Sequence, residues 1–267
     1  MKKRHFPAIV IGGGHAGCEA AHALAKLGTP TLLLTMNIDT IGNMSCNPAI
    51  GGLGKTHLVR EIDAMGGLIG RIADTAAIQY LRLNASKGPA VWATRCQCDM
   101  RIYRQEMQRT LFNTENLTIK QGKAERFIIK NEGIGGVVTT LDERFECDTL
   151  ILTTGTFLGG LCHVGMKHFS GGRAGGEASM ELADMLSALG LEIGRLKTGT
   201  TPRLDGRTIR WDVMEPQPSE TDSRRLSYYW DVPLLPQKPC YITHTNERTH
   251  EIIRAATDRS PIFSGII

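Results

Sequence analysis

Apolar and polar positions change period several times along the chain, and the first change is the clearest. In "PAIVIGGGHAGCEAAHALAKLGTPTLLLT" a β-branched run, Ala8 to Ile11, stops at glycines. An Ala-rich helical segment follows from about His15 to Leu27, Gly28 ends it, and a second apolar run spans Thr31 to Thr35. Runs apolar on both faces and separated by a helix predict a βαβ unit on a buried parallel sheet. Residues 36 to 56, with Asn-Pro and several glycines, read as loop. "KTHLVREIDAMGG" predicts a helix with Leu58, Ile62 and Met65 on its apolar face, closed by Gly66 and Gly67. "DMRIYRQEMQRTLFN" predicts another, with Ile102, Met107 and Leu111 inward.

From about 117 to 147 short alternating runs predict a β-meander turning at Asn131 to Gly136. It leads into "DTLILTTG", a buried strand that runs through Thr154 to Gly155. Beyond Gly160 the chain is glycine-rich, and Ser179 is placed to cap the helix "MELADMLSALG". Residues 202 to 239 carry prolines and charges without a period and read as an irregular β-rich insert. A short strand, "CYITHT", and a helix, "ERTHEIIRAAT", follow. The last stretch, "SPIFSGII", has no polar tail, as in a chain cut in mid-fold. The expected organisation is a Rossmann-like α/β domain over 1–200 and the start of an inserted second domain over 201–267.

Composition narrows the classes. Of the 267 residues 41% are hydrophobic and 22% charged, ordinary for a globular chain with one sizeable core or two. Thirty glycines in short runs point to backbone-lined ligand sites. A net charge of +4 permits an anionic partner without requiring one. Seven irregularly spaced cysteines argue against a disulfide framework and fit a reducing cytoplasm. Cys96 and Cys98 have no second pair at zinc spacing, so no metal site is expected. The opening "MKKRHFPAIVIGGG" reaches its glycines too soon for a signal peptide, and no apolar run is long enough to span a membrane.

The chemistry begins at Gly12, Gly14 and Gly17, a G-x-G-x-x-G between strand and helix. The first glycine allows the tight turn, the second lets a pyrophosphate reach the backbone, and the third lets helix and strand pack closely. Residues Gly12, Gly13, Gly14, His15, Ala16 and Gly17 are therefore candidate cofactor contacts, with the helix N-terminus facing the phosphates. The carboxylate usual about 20 residues on, for the ribose, is missing. Asn37 stands there as a neutral partner, and Asp39 lies further along the loop. One βαβ unit, then a meander, then a strand ending in Thr153, Thr154 and Gly155 is the order of two-dinucleotide-binding-domain flavoproteins, which favours FAD over NAD.

"SCNPAIGGLGKTH" raises a second possibility, because Ala49 to Thr56 fits a relaxed phosphate-binding loop. A working P-loop hangs between an apolar strand and a helix. Here "NMSCNP" precedes it, and Pro48 cannot donate to a sheet ladder. The alternative is a flavin-side loop that carries Cys46 toward substrate. Cys46 itself is either a nucleophile or a small residue filling the loop.

Several longer segments carry a resemblance. "IGGGHAGCEAA", "NIDTIGNMSCNPAIGGLGKTHLVREIDAMGG", "LNASKGPAV", "SGGRAG", "GRLKTGTTPR" and "CYITHTNERTH" are similar to the N-terminal half of the MnmG family, also called GidA. These are tRNA uridine 5-carboxymethylaminomethyl modification enzymes. The similarity covers essentially the whole chain. It implies a cytoplasmic, homodimeric FAD enzyme that works with the GTPase MnmE on the wobble uridine of tRNA. NADH would be the reductant and methylenetetrahydrofolate the one-carbon donor. By matching motifs, Gly12 to Gly17 would hold the FAD pyrophosphate, and Ala124 and Ser179 would be further FAD contacts. Cys46 matches one of the family's two proposed catalytic cysteines. The departures are Thr56, where glycine is common, Trp92, where arginine is usual, and the absence of the second cysteine motif and the C-terminal helical region.

Lys87, Arg95, Arg101, Arg104 and Arg109 form either a basic patch for RNA phosphates or a solvated helix face. His244 and His250 read as structural. Three functions stay open: the tRNA-modifying flavoprotein, a small-molecule flavin oxidoreductase, and a non-catalytic remnant that binds a dinucleotide.

Overall fold

The apolar runs build one mixed sheet with side chains buried on both faces. The computed structural model describes residues 4–131, 133–220, 225–229, 231–260 and 263–265. In order the elements are β1 (Arg4–Ile11), α1 (His15–Lys26), β2 (Thr31–Thr35), β3 (Ala49–Gly51), α2 (Thr56–Ala64), α3 (Ile69–Thr75), β4 (Ala77–Leu83), β5 (Ala93–Cys98), α4 (Met100–Phe112) and β6 (Leu117–Gln121). Then come β7 (Ala124–Lys130), β8 (Gly133–Thr139), β9 (Arg144–Leu152), β10 (Leu161–Val164), β11 (Lys167–Ser170), α5 (Met180–Ala188), β12 (Glu215–Gln217), β13 (Cys240–Ile242) and α6 (Glu247–Arg254). The closing residues 261, 262, 266 and 267 of "SPIFSGII" lie outside the described residues.

The main sheet has the order β6-β2-β1-β9-β8-β7. β1 is parallel to β2 and to β9, and β2 is parallel to β6. Val10 and Leu33 enter one core with α1, α3 and α4. Ile9, Ile11, Leu32 and Leu34 enter a second, on the opposite face, with Phe127, Val137, Phe145 and Leu182. Period-2 side chains on a sheet covered on both faces give this division. The result is the expected Rossmann-like α/β fold.

The meander is shorter than 117–147 predicted. Leu117–Gln121 is the parallel edge strand β6, so the antiparallel run starts at Ala124 and passes through β7 and β8 into β9. β9 is only partly buried, with Asp148 and Thr149 exposed, because β8 pairs with it only over Arg144 to Glu146. The insert is irregular, but its strand content among the described residues is only β12, paired with β13, so it is not β-rich.

Between β2 and β6 the chain builds a second, three-stranded sheet, β3-β5-β4. Its inner face, with Ile50, Tyr80, Cys96 and Cys98, joins the first core. Cys96 and Cys98 are therefore core residues, their sulfurs 3.7 Å apart. Ala49–Gly51, expected to be loop, is strand β3, held there by pairing with β5. Asp99 caps α4 by accepting from the backbone N–H groups of Arg101 and Ile102. Tyr103 joins the expected Met107 and Leu111 at the α4 core face, while Ile102 is only partly buried.

Helix α2 turns a different face inward than its apolar pattern suggests. Leu58 and Met65 are exposed, whereas Val59 and Asp63 are buried. The reason is a polar strap. Asp63 accepts from the Tyr228 N–H at 2.9 Å, and Asp74 accepts from Leu226 N–H at 3.0 Å and Ser227 N–H at 2.8 Å. The Tyr80 hydroxyl donates to Asp74 at 2.7 Å. Burial raises the Asp74 pKa, against these donors, and raises that of Tyr80. Asp74 thus holds part of the insert against the core. Replacing it, Asp74→Ala, orphans three buried donors and is expected to lower stability by about 3 kcal/mol. Urea unfolding of the variant checks this; a loss under about 1 kcal/mol would rule out the strap as a stabilising contact.

Candidate dinucleotide and thiol site

Strand order reverses beside β1. The chain goes from β1 outward to β2 and β6, then returns to the other side as β9. In such sheets ligands bind in the crevice outside the carboxyl ends of the strands at this switch point. Here that crevice lies where β1 runs into Gly12 and β9 into Thr153.

The crevice is shaped by backbone contact. Gly12 has φ +107°, and a Cβ there would meet the Thr153 carbonyl oxygen at 2.4 Å. At Gly17 a Cβ would lie 1.8 Å from the Gly12 carbonyl oxygen. Thr153 fastens the two strands by donating its backbone N–H to Ile11 O at 2.9 Å and its hydroxyl to the same oxygen at 2.8 Å. Gly13 is buried against Ile41 and Thr35. Gly14 differs: it is exposed and nothing lies within 4 Å of a Cβ built on it. Two glycines are thus required for packing, and Gly14 is open toward whatever occupies the crevice.

Gly14 is also the N-cap of α1, with no side-chain cap and no acid in the first turn. The first N–H groups of a helix lack intrahelical acceptors, and a phosphate satisfies them. Ala16 is exposed beside Gly14. His15 is half-buried, with Nδ1 3.4 Å from the Tyr103 hydroxyl and the rings edge-to-face. Burial lowers the His15 pKa, which keeps the ring neutral at the helix N-terminus.

Other sequence candidates take varied places around this crevice. Asn37 is exposed just past β2, and its Oδ1 accepts from the Asp39 N–H at 2.8 Å. Its amide NH₂ remains the group able to meet a ribose hydroxyl. Asp39 lies in the first turn of the short 3₁₀ helix that Asn37 caps. Gly122 N–H donates to Thr35 O at 2.8 Å and brings the start of β7 to the end of β2. Ala124 begins β7, but its side chain is in the second core, which leaves its backbone for contact. Thr154 is helical, and Gly155 is left-handed at φ +55° with open space at its Cβ position. Ser179 stands at the N-cap of α5 without a side-chain cap bond. Instead its backbone clasps the 157–159 segment: its N–H donates to Phe157 O at 2.7 Å and its carbonyl accepts from Gly159 N–H at 3.0 Å.

The Cys46 loop is tied to the same turn. Gly42 N–H donates to Gly13 O at 2.9 Å. Four residues of chain then place Cys46 within about 18 Å of the glycine turn. Cys46 is partly exposed, and its thiol donates to Gly199 O at 3.0 Å. Arg203 donates to the Cys46 carbonyl, Arg173 donates to Ser45 Oγ at 3.0 Å, and Thr201 donates to Asn47 Oδ1 at 3.0 Å. Arg173 also lies over the Phe157 ring, 5.6 Å from its centre. The two guanidinium groups thus fasten the chain at Ser45 and Cys46 beneath a partly exposed thiol.

The phosphate-loop reading of Ala49–Thr56 fails on geometry. The motif's first three residues are strand β3, and the buried Thr56 hydroxyl donates to Thr94 O at 2.7 Å. Neither a wrapping loop nor a free hydroxyl is left. The basic residues divide among separate elements: Lys87 in a loop, Arg95 on β5, and Arg101, Arg104 and Arg109 on α4, where Arg109 pairs with Glu106 at 2.6 Å. His244 is exposed, and His250 bonds Thr245 at 2.8 Å.

The family model for glucose inhibited division protein A matches residues 7–267. The chain belongs to the GidA family. It is similar to Aquifex aeolicus GidA in two crystal forms. One is 43% identical over 94% of this chain with a TM-score of 0.89, and the other is 42% identical over 98% with a TM-score of 0.92. The chain spans less than half the length of those proteins, 43% and 45%. Among the described residues no helix is long and apolar enough to cross a membrane.

In this GidA chain the glycines predict opposite outcomes. Gly17→Ala has no room and is expected to cost about 3 kcal/mol. Gly14→Ala is expected to cost about 1 kcal/mol or less. Urea midpoints of both variants check this, and equal losses would reject the division of roles. His15 gives a pH prediction. Its folded pKa lies below the ordinary 6.5, so on acidification the unfolded chain takes up a proton that the folded chain resists. Stability therefore falls as pH drops through about 6.5. In His15→Gln the fall in urea midpoint between about pH 7.5 and pH 5.5 is expected to be smaller than in the parent.

Proposed function

We propose that this chain is the FAD-binding, N-terminal part of a tRNA-modifying enzyme that forms 5-carboxymethylaminomethyluridine at the wobble position. The observation that carries the reading is the junction of two features: an uncapped helix behind an open Gly14, and a Cys46 loop bonded to Gly13. Family membership supplies the class of reaction. On this reading residues 1–200 form the FAD-binding domain and 201–267 begin an inserted second domain. A cytoplasmic homodimer, the GTPase MnmE as partner, NADH as reductant and methylenetetrahydrofolate as one-carbon donor belong to the same proposal.

The residues present fit a dinucleotide. The N–H groups at the start of α1 and the bare Gly14 backbone would hold the pyrophosphate. The Asn37 amide would donate to a ribose hydroxyl, the backbone of Ala124 would line the adenosine side, and Thr154, Gly155 and Ser179 would line the return from β9. FAD, when bound, supplies two-electron redox chemistry.

Cys46 does the work on the base. Its thiolate adds to uracil carbon 6 and forms an S–C6 bond, and the C5–C6 electron pair moves onto the carbonyl as an enolate. Carbon 5 then attacks the electrophilic one-carbon unit. Loss of the C5 proton and expulsion of the thiolate restore the ring. Before this the thiol must leave Gly199 O and give up its proton.

Two measurements test the reading. Purified chain mixed with FAD is expected to keep a flavin band through gel filtration, and Gly14→Ala to lose it while staying folded. A folded parent chain that retains no flavin would sink the claim that this part builds the site. In the tRNA-modifying enzyme assay Cys46→Ser is expected to lower turnover on the order of 10³-fold or more, and unchanged turnover would remove the nucleophile role.

A further inference from the structure

Strand β5 sends alternate side chains to opposite faces. Cys96 and Cys98 enter the core, while Arg95 and Gln97 face the other way. The insert lies over that second face. Gln79 donates to Gln217 O at 2.8 Å, the Cys240 thiol donates to Gln79 Oε1 at 3.1 Å, and Lys238 N–H donates to Ile78 O at 2.7 Å. Between insert and sheet is a cavity of about 370 Å³, within the size range of small-molecule sites. Its polar lining is Asn47, Gln79, Arg95, Gln97, Lys238 and Cys240, with no Asp or Glu among the lining residues.

Arg95 is the unusual member. Its Nε is shielded from solvent and has no hydrogen-bond partner among the described residues. The guanidinium takes part in no described ion pair. A shielded, unpaired donor of a permanent cation is costly unless an acceptor arrives. Arg95 offers a planar fork suited to a carboxylate or phosphate, and Lys238 adds a second positive charge at the cavity wall. The Gln79 amide is committed to the insert, the Gln97 NH₂ leans on the Cys240 sulfur at 4.0 Å and Asn47 Oδ1 accepts from Thr201, so the Asn47 NH₂ remains to orient what the cations hold. Asn47 and Pro48 line the same cavity and directly follow Cys46 in the chain.

We infer that the cavity beneath β13 binds a small oxyanion-bearing molecule, its carboxylate or phosphate held by Arg95 and its body next to Cys46. This deepens the function proposed above by giving the thiol a neighbouring co-substrate pocket, and rests on it for that role alone. Binding itself requires neither flavin nor tRNA, so it can fail or succeed independently of that reading.

The experiment titrates the purified chain with sodium acetate and separately with inorganic phosphate at constant ionic strength. Backbone-amide NMR shifts report binding, and the rate of Cys240 alkylation reports occupancy. Saturable binding with slowed alkylation is expected for at least one anion; which of the two binds names the held group. Arg95→Met is expected to weaken it at least about tenfold, the scale of a lost charge-assisted contact, and Arg95→Lys to weaken it less. Lys238→Gln, on an exposed residue, provides a second weakening variant should Arg95→Met fail to fold. Arg109→Gln, on α4, is expected to leave binding unchanged. The inference is overturned if neither anion saturates at tens of millimolar, or if folded Arg95 and Lys238 variants bind as the parent does.

Discussion

The close approach of three backbone segments at Gly12, Gly17 and Thr153 is the constraint on which the site depends. Each distance there is too short for any side chain at the glycines. Thr153 places two donors on the Ile11 carbonyl, so β9 cannot shift relative to β1 without losing both. With that contact fixed, α1 must leave the sheet at Gly14 with its first N–H groups facing the crevice. Binding geometry is therefore a by-product of packing. The same atoms that join helix and strands also determine where an anion meets the backbone.

A second set of contacts carries this rigid centre outward to the loops. Gly42 on Gly13 positions the Cys46 loop, and Glu19 on α1 accepts from Leu68 and Ile69 N–H groups at the start of α3. An acidic group at a helix N-terminus is favourable, but burial here raises the Glu19 pKa, so desolvation works against the bond. Asp63 and Asp74 repeat the device toward the insert. Buried carboxylates that accept backbone N–H groups thus do between layers what apolar contact does within them. They specify one docking of an irregular segment, with Leu226 buried beside them in the core.

What could be read from the sequence follows from how local each signal is. The βαβ unit was legible because its strand, turn and helix periods lie within about thirty residues. The α2 face was misread because Asp63, a polar residue by any pattern, is buried for a partner 165 positions away. Strand β6 was placed in the meander because parallel and antiparallel strands share one alternation, and only its pairing with β2 distinguishes them. Gly12 to Gly17 were found by motif and Cys46 by resemblance. Thr153, Tyr103 and Arg203 were not, since nothing local marks a residue whose importance lies in a contact across the fold. "GRLKTGTTPR" stood out as a string, but its crossing of the Cys46 loop is a fact of tertiary structure alone.

The placement of Arg95 shows why a charge count is a poor guide to function in such a chain. Five basic residues between 87 and 109 left open a basic patch or a solvated helix face, and in the fold they fall on a loop, a strand and a helix. Those on α4 are set on a helix where Arg109 is already paired, and an exposed pair of that kind contributes little. Arg95 sits on a strand whose partner face is roofed by the insert, its Nε shielded from water and no carboxylate among the residues that line the cavity. The same charge has more effect there, because its Nε is out of solvent and no described ion pair screens it. The insert, irregular and poor in strand, thereby creates a small cavity with two cations in its wall, beside the loop that carries the thiol.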